Sequence, residues 1–201
     1  MTANRRLASD DRRASLLEVA AQLFAERPYD DVSMEDVAAR GGVSRALLYR
    51  HFPSKPKLFA AMYQQAADRL LHETAFDAGV PLAHQIKIGL DAHFDYFEAN
   101  RYTVLAANRT LAGDPTIQAV INGELEALRS RMVSAAGLDD PTHQIVSTIL
   151  MSWLVFVRVM SVDWLANNAV SRVQLRDICV GALLGALENT VDVTQPHTDT
   201  D

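Results

Sequence analysis

A chain of 201 residues that is 49% apolar is long enough and apolar enough to build a real core, which excludes disorder over most of its length. Nine glycines and seven prolines are few and fit long helices, and a single cysteine, Cys179, excludes an intramolecular disulfide and a cysteine-rich zinc site. The net charge of −6 conceals an asymmetry: residues 1–72 hold eleven Lys+Arg against nine Asp+Glu, a net of +2, whereas residues 73–201 hold eight against sixteen, a net of −8.

The first ten or so residues, with Arg5, Arg6, Arg12 and Arg13 in or beside them, read as a loose basic arm. "DRRASLLEVAAQLFAER" sets Leu16, Leu17, Ala20, Leu23 and Phe24 on one stripe of a helix, which Pro28 ends. In "YDDVSMEDVAARGG" Ser33 is a helix N-cap with Asp36 three residues on, close to a capping box. Val37 and Ala38 face inward, and Gly41-Gly42 stops this helix after about two turns. Ser44 caps a third helix, Arg45–Phe52, closed by Pro53. Ser54 caps a fourth, which tolerates Pro56 in its first turn and continues through "KLFAAMYQQAADRLLHETA". Further helices are expected near Leu82–Asn100, Tyr102–Leu111, Pro115–Ala136, Pro141–Leu165 and Ser171–Val191. The breaks between them fall at Gly79-Val80-Pro81, Gly113-Asp114-Pro115, Gly137–Pro141 and Asn167-Asn168. The tail "DVTQPHTDTD" is polar and reads as frayed. No strand alternation is present, so the expected fold class is all-α.

Two short helices joined by a tight glycine-containing turn, Met34–Arg40 and Arg45–Phe52, form a helix-turn-helix, a motif that lays its second helix in the DNA major groove. Leu48 and Phe52, four apart, share the buried face of that helix; Ala46, Leu47, Tyr49 and Arg50 then point away from it. Arg50, and Arg45 in the first turn, have the reach and the paired donors for a guanine edge or a phosphate. Ser33 and Ser54 stand at helix N-termini, where free amides favour phosphate oxygens, and Lys55 stands beside the second. No acidic residue occurs from Val37 to Ala67, which removes like-charge repulsion with a polyanion. Solvated basic faces in helical bundles produce the same pattern.

"DVSMEDVAARGGVSRALLYRHFPSKPKLFAAM" resembles the DNA-binding region of the TetR family of transcriptional regulators. The matching features are the amphipathic first helix ending in Phe24, Ser33, Val37-Ala38, Gly42-Val43-Ser44, Leu48-Tyr49, His51-Phe52, and Ser54-Lys55 before Leu58-Phe59. The resemblance covers roughly Arg12 to Met62. It implies an N-terminal three-helix DNA-binding domain, residues 1–56, and a larger helical effector-binding and dimerisation domain, residues 57–201. It also implies a homodimer and repression relieved by a small molecule. By the motif, Ser33, Ser44, Arg45, Ala46, Leu47, Tyr49, Arg50, His51 and Lys55 face DNA. Leu47 is bulkier and less polar than the residue often found there, and Pro56 replaces the common acidic residue.

An effector site is an apolar cavity with a few polar groups. The candidates are His93, Tyr96, Phe97, Leu105, Asn108, Arg109, Met151, Trp153, Phe156 and Met160, although aromatic and methionine stripes at helical spacing are also what a core presents. Arg109 and Arg158 are further hints, because a buried arginine needs an anion or a carboxylate partner and an exposed one snorkels to solvent. Dimerisation is expected through the last two helices: "CVGALLGAL" puts Gly181 and Gly185 four apart on a flat face, and "ILMSWLVFV" is apolar around much of its circumference.

No histidine pair has metal-ligand spacing, and neither a phosphate-binding glycine loop nor a nucleophile elbow occurs, so no catalytic residue, metal or cofactor is expected. The N-terminus lacks an apolar leader core, and the most apolar run, Ile149–Val157, reads as too short to span a bilayer, which points to a cytoplasmic protein without a membrane partner. The expected function is that of a dimeric regulator, most often a repressor in such a family, that binds a double-stranded palindromic operator and releases it to a small, largely apolar effector. The alternative is a helical sensor or interaction protein without specific DNA binding.

Overall fold

The structure, a computed structural model, describes residues 2–73, 82–136 and 140–193. Nine α-helices account for most of them: α1 Thr2–Glu26, α2 Met34–Arg40, α3 Arg45–His51, α4 Lys55–Glu73, α5 Leu82–Ala99, α6 Arg101–Leu105, α7 Pro115–Ala136, α8 Asp140–Asn167 and α9 Arg172–Val193. No strand occurs among the described residues, so the fold is all-α as the sequence predicts. The expected break at Gly79-Val80-Pro81, most of Gly137–Pro141 and the end of the polar tail lie outside the described residues. The chain divides into two compact units, residues 1–70 with 98–121, and residues 71–97 with 122–201.

In the first unit the stripe read from α1 is the core. Leu16, Leu17, Ala20, Leu23 and Phe24 are all buried, with Val37, Ala38, Leu48, Phe52, Leu58, Phe59 and Met62. Phe24 anchors an aromatic cluster, edge-on to Phe59 at 5.1 Å and stacked on Tyr29 at 5.7 Å. One expectation fails here: the segment read as a loose arm is helical, and α1 starts at Thr2. Neither glycine nor proline occurs between Thr2 and Glu26, so nothing local stops the helix propagating to its start. A short 3₁₀ turn at Tyr29–Asp31 then leads into α2. A second difference lies in the helix read as Tyr102–Leu111, which splits into α6 and a π-helical turn, Ala106–Thr110. Hydrophobic spacing carries no signature of that one-residue register change.

The turn between α2 and α3 is a Schellman motif. Val43 N–H donates to Ala38 O at 3.0 Å and Gly42 N–H to Ala39 O at 3.2 Å. The motif requires a left-handed residue, supplied by Gly42 at φ +61°. Gly41 is needed for close packing instead: a Cβ there would stand 3.0 Å from both Leu16 Cδ2 and Val37 O. Gly42→Ala meets no atom within 4 Å, so its cost is conformational, about 1–2 kcal/mol. Denaturant unfolding is the measurement, with a lowered midpoint at unchanged m-value as the expected result.

The second unit packs part of α5 and α7 with α8 and α9. Phe94, Phe97, Leu150, Leu154, Val157, Trp164, Leu175, Cys179 and Leu183 fill its interior. Trp153 Nε1–H donates to Cys179 O at 2.7 Å, joining α8 to α9 through a buried bond. Arg172 pairs with Asp95 and Arg176 with Asp91 at 3.1 Å, which fastens α9 to α5. Asn168, with φ +52°, ends α8 at the predicted break. Burial pushes the Cys179 thiol up to about 11, which fits the inert core filler expected from its apolar context.

The reading of Ile149–Val157 as too short for a bilayer needs correction. The apolar stretch continues on both sides, and Thr142–Asn167 is long and apolar enough, by length and composition, to cross a membrane. Its packing in this unit gives a different account of that composition: one side is core, and Arg158 near its middle is buried against a carboxylate.

Candidate functional site

The sequence "GVSRALLYRHF" folds as a cap, two helical turns and a stop. Ser44 accepts from Leu47 N–H at 3.2 Å to start α3, and Phe52 ends it. Of the seven residues of α3 only Leu48 is fully buried. Ala46, Tyr49 and Arg50 are exposed and Leu47 half-buried, so α3 presents the outward face that the sequence predicts. His51 is half-buried beside Phe52. No carboxylate pairs with Arg50 among the described residues, whereas Arg45 forms an ion pair with Glu35 of α2.

Two more cations are seated on aromatic rings near this helix. Lys55 Nζ lies 4.1 Å from the Tyr29 ring centroid, and the Arg13 guanidinium 5.1 Å from that of Phe52, the residue that ends α3. Partial burial holds the Lys55 ammonium below its ordinary value, against the pull of Asp30 and Asp31. Arg13 was visible in the sequence only as part of a basic run; its place over Phe52 is a tertiary contact that spacing does not encode.

Ser33 completes the capping box: its Oγ accepts from Asp36 N–H at 3.0 Å, and Asp36 Oδ2 accepts from Ser33 N–H at 2.9 Å. The Ser33 backbone donation and the Asp36–Arg27 contact at 3.6 Å accompany an Asp36 carboxyl held below the usual range, chiefly by that backbone bond. Ser33 and Ser44 both act as acceptors in their caps. Each hydroxyl proton therefore remains available to a phosphate oxygen. Positive groups, free hydroxyl protons and a low-bulk helix face make this a surface suited to a double-stranded polyanion.

The ten effector candidates do not form one group. Leu105, Asn108 and Arg109 belong to the first unit, and the other seven to the second. Arg109 is exposed, and Asn108 Nδ2 donates to Val104 O at 2.8 Å on its own helix. Phe156 and Trp153 line an open concavity of about 300 Å³ with Thr148, Ile149, Ser152, Ala182 and Ala186. Tyr96, Met151 and Met160 are half-buried.

His93 and Phe97 do meet, ring centroid to ring centroid at 3.9 Å. His93 Nε2 lies 3.2 Å from Ser161 Oγ, which donates its proton to Val157 O at 2.7 Å. With that proton committed, the imidazole must donate from Nε2, leaving Nδ1 as an acceptor. Nearby, Arg158 Nη1 lies 3.3 Å from Glu124 Oε2, with both side chains only 8% exposed. Glu124 and Ser161 were not among the candidates. The need of a buried Arg158 for a carboxylate was legible, but which of the many acids supplies it depends on how α7 and α8 pack.

Burial, reinforced by the Arg158 charge, pulls the His93 pKa down to about 3. Its unfolded value is near 6.5, so between about pH 6.5 and 3 the unfolded chain binds the extra proton. The stability associated with neutral His93 is thus present above about pH 6.5 and is lost as pH falls, by up to about 1.4 kcal/mol per pH unit. Unfolding titrations at stepped pH should show this slope, and His93→Gln should flatten it.

Residues 16–62 match the sequence profile described as bacterial regulatory proteins, tetR family. The transcriptional activator FasR of Mycolicibacterium smegmatis is 28% identical over 167 residues, covering 81% of this chain and 76% of that protein. The transcriptional regulator RutR of Escherichia coli K12 is 31% identical over 132 residues, covering 63% of this chain and 61% of its own length. A crystal structure of a tetR-family transcriptional regulator from Streptomyces coelicolor superposes with a TM-score of 0.77 at 24% identity, covering 94% of this chain and 91% of that one.

Proposed function

We propose that this chain, which belongs to the TetR family of bacterial regulatory proteins, works as a dimeric repressor that leaves its palindromic operator when a small, largely apolar effector binds. The chain is a DNA-binding transcriptional regulator and not an enzyme. The sense of regulation is the finer claim: FasR carries the name of an activator. The observation that supports DNA reading is α3 itself, with one buried residue, its outward side chains clear of acidic neighbours except at Arg45, and its cations seated around it. Ser33, Ser44, Arg45, Ala46, Leu47, Tyr49, Arg50, His51 and Lys55 are the proposed DNA contacts. We place the functional division near residue 56, with the reading head before it and effector binding and dimerisation after it, in the cytoplasm.

The effector region we favour lies beside His93 and Phe97, where an aromatic wall meets the free imidazole Nδ1. A ligand shifts the equilibrium between reading and non-reading states only by its difference in affinity for the two. Enrichment of random duplexes by the purified protein, followed by sequencing, tests the whole reading. A symmetric site supports it; no enrichment favours a sensor without specific DNA binding.

Dimerisation we assign to α8 and α9. Val155 and Val159, four apart on α8, are 44% and 62% exposed, and Ile178 on α9 is 41% exposed. A Cβ added at Gly181 or Gly185 would meet no atom within 4 Å, so the single chain leaves open space at both glycines. Two copies bringing these helices together form an isologous interface. Ala182→Asp puts a charge at its centre and should give a monomer by sedimentation at micromolar concentration. A dimer that survives this change would move the interface elsewhere.

A further inference from the structure

We propose that Glu35 is a positioning residue that directs Arg45 to a base edge and away from the phosphates; this rests on the reading of α3 as the groove helix. Glu35 stands in the first turn of α2, two positions before the acid-free window opens at Val37. Its carboxylate pairs with the Arg45 guanidinium across the helix-turn-helix. The two side chains are 46% and 67% exposed, and a pair in that much solvent contributes little to stability. An acid on a surface meant for a polyanion needs another account.

The neighbouring acids have local tasks. Asp36 caps α2 by accepting from Ser33 N–H at 2.9 Å, and Glu26 is gripped by Arg40 through two bonds of 2.7 and 3.1 Å. Glu35 alone among them spends its charge on a residue of α3. The pair is net neutral, so Arg45 held in this way adds nothing to sequence-independent attraction; Arg50, Lys55 and Arg13 supply that. A guanidinium carries five donors in a rigid plane. Glu35 engages it through Nη2, which biases the side chain toward α2 while other donors remain for a guanine O6/N7 pair. Without the carboxylate, the long side chain is free to swing to the nearest phosphate, a contact that carries no sequence information.

The test is a double-mutant cycle on DNA discrimination. Wild type, Glu35→Gln, Arg45→Ala and the double variant are titrated against the enriched operator and a scrambled duplex, with thermal unfolding measured alongside. Glu35→Gln should bind the scrambled duplex several-fold more tightly and lower the operator-to-scrambled ratio about tenfold. Glu35→Asp should recover part of that ratio. In the Arg45→Ala background, Glu35→Gln should leave the ratio unchanged. If the ratio drops equally in that background, Glu35 reads DNA itself and the proposal is overturned. A ratio that Glu35→Gln does not alter, with both affinities shifting together, leaves only generic charge repulsion or a structural role and also overturns it. A wild type that prefers no duplex sinks the DNA-reading proposal along with this one; a wild type that discriminates isolates the failure to Glu35.

Discussion

Glu124→Leu should cost about 3–5 kcal/mol of stability, because it leaves the Arg158 guanidinium buried without its carboxylate. Arg158→Met should cost a similar amount by stranding Glu124. The double variant should recover much of the loss, since an apolar pair of comparable volume avoids the desolvation of both ions. Chemical denaturation of the three variants measures this. Equal and additive losses would mean that the two side chains do not depend on one another, contrary to their 3.3 Å contact. The double variant also tests whether the ion pair takes part in the proposed effector response. If stability returns and the response does not, the pair is held for function rather than for folding.

The second large effect is expected at the DNA. Arg50→Ala should cost about 1–3 kcal/mol per half-site on the preferred operator and much less on scrambled DNA. A symmetric dimer loses the contact twice. Lys55→Ala should behave differently, weakening all sequences alike and lowering the log–log salt slope by roughly 0.9 per half-site. Lys55 also rests on the Tyr29 ring, so unfolding must be measured in parallel to separate lost packing from a lost phosphate. Titrations at several salt concentrations distinguish the two behaviours. Should Arg50→Ala weaken operator and scrambled duplex equally, α3 holds the backbone at that position and does not read through it.

How much of this was legible in the sequence depended on the range of the interaction. The α1 stripe from Leu16 to Phe24, the Ser33 and Ser44 caps and the Gly41-Gly42 stop are local: each involves residues within four or five positions, where periodicity and cap chemistry act directly. The all-α class and most helix limits followed from such signals. Charge alone does not report the helical start at Thr2, although a basic run without glycine or proline has no local reason to unwind. The π turn at Ala106–Thr110 is not legible because hydrophobic spacing does not report one inserted residue. At the site, the outward face of α3 was read from its helical phase, whereas its ion pair with Glu35 and the seating of Arg13 on Phe52 depend on tertiary packing. The same holds for Glu124, Ser161 and His93, which come from three different helices.

That α3 commits a single side chain to the core has a consequence for how new specificities arise. Ala46, Tyr49 and Arg50 are exposed and tethered to the fold only through Leu48 and the capped ends, so the selectable alphabet at these three positions is nearly uncoupled from the requirement to fold, whereas half-buried Leu47 is less free. Surface changes of this kind typically alter stability by no more than about 0.5 kcal/mol. On the proposed reading of α3 as the groove helix, a duplicated gene could therefore explore operators at these positions while its copy kept a working scaffold. A laboratory library randomised there should return a majority of soluble, folded proteins, sorted by which duplex they hold rather than by whether they survive.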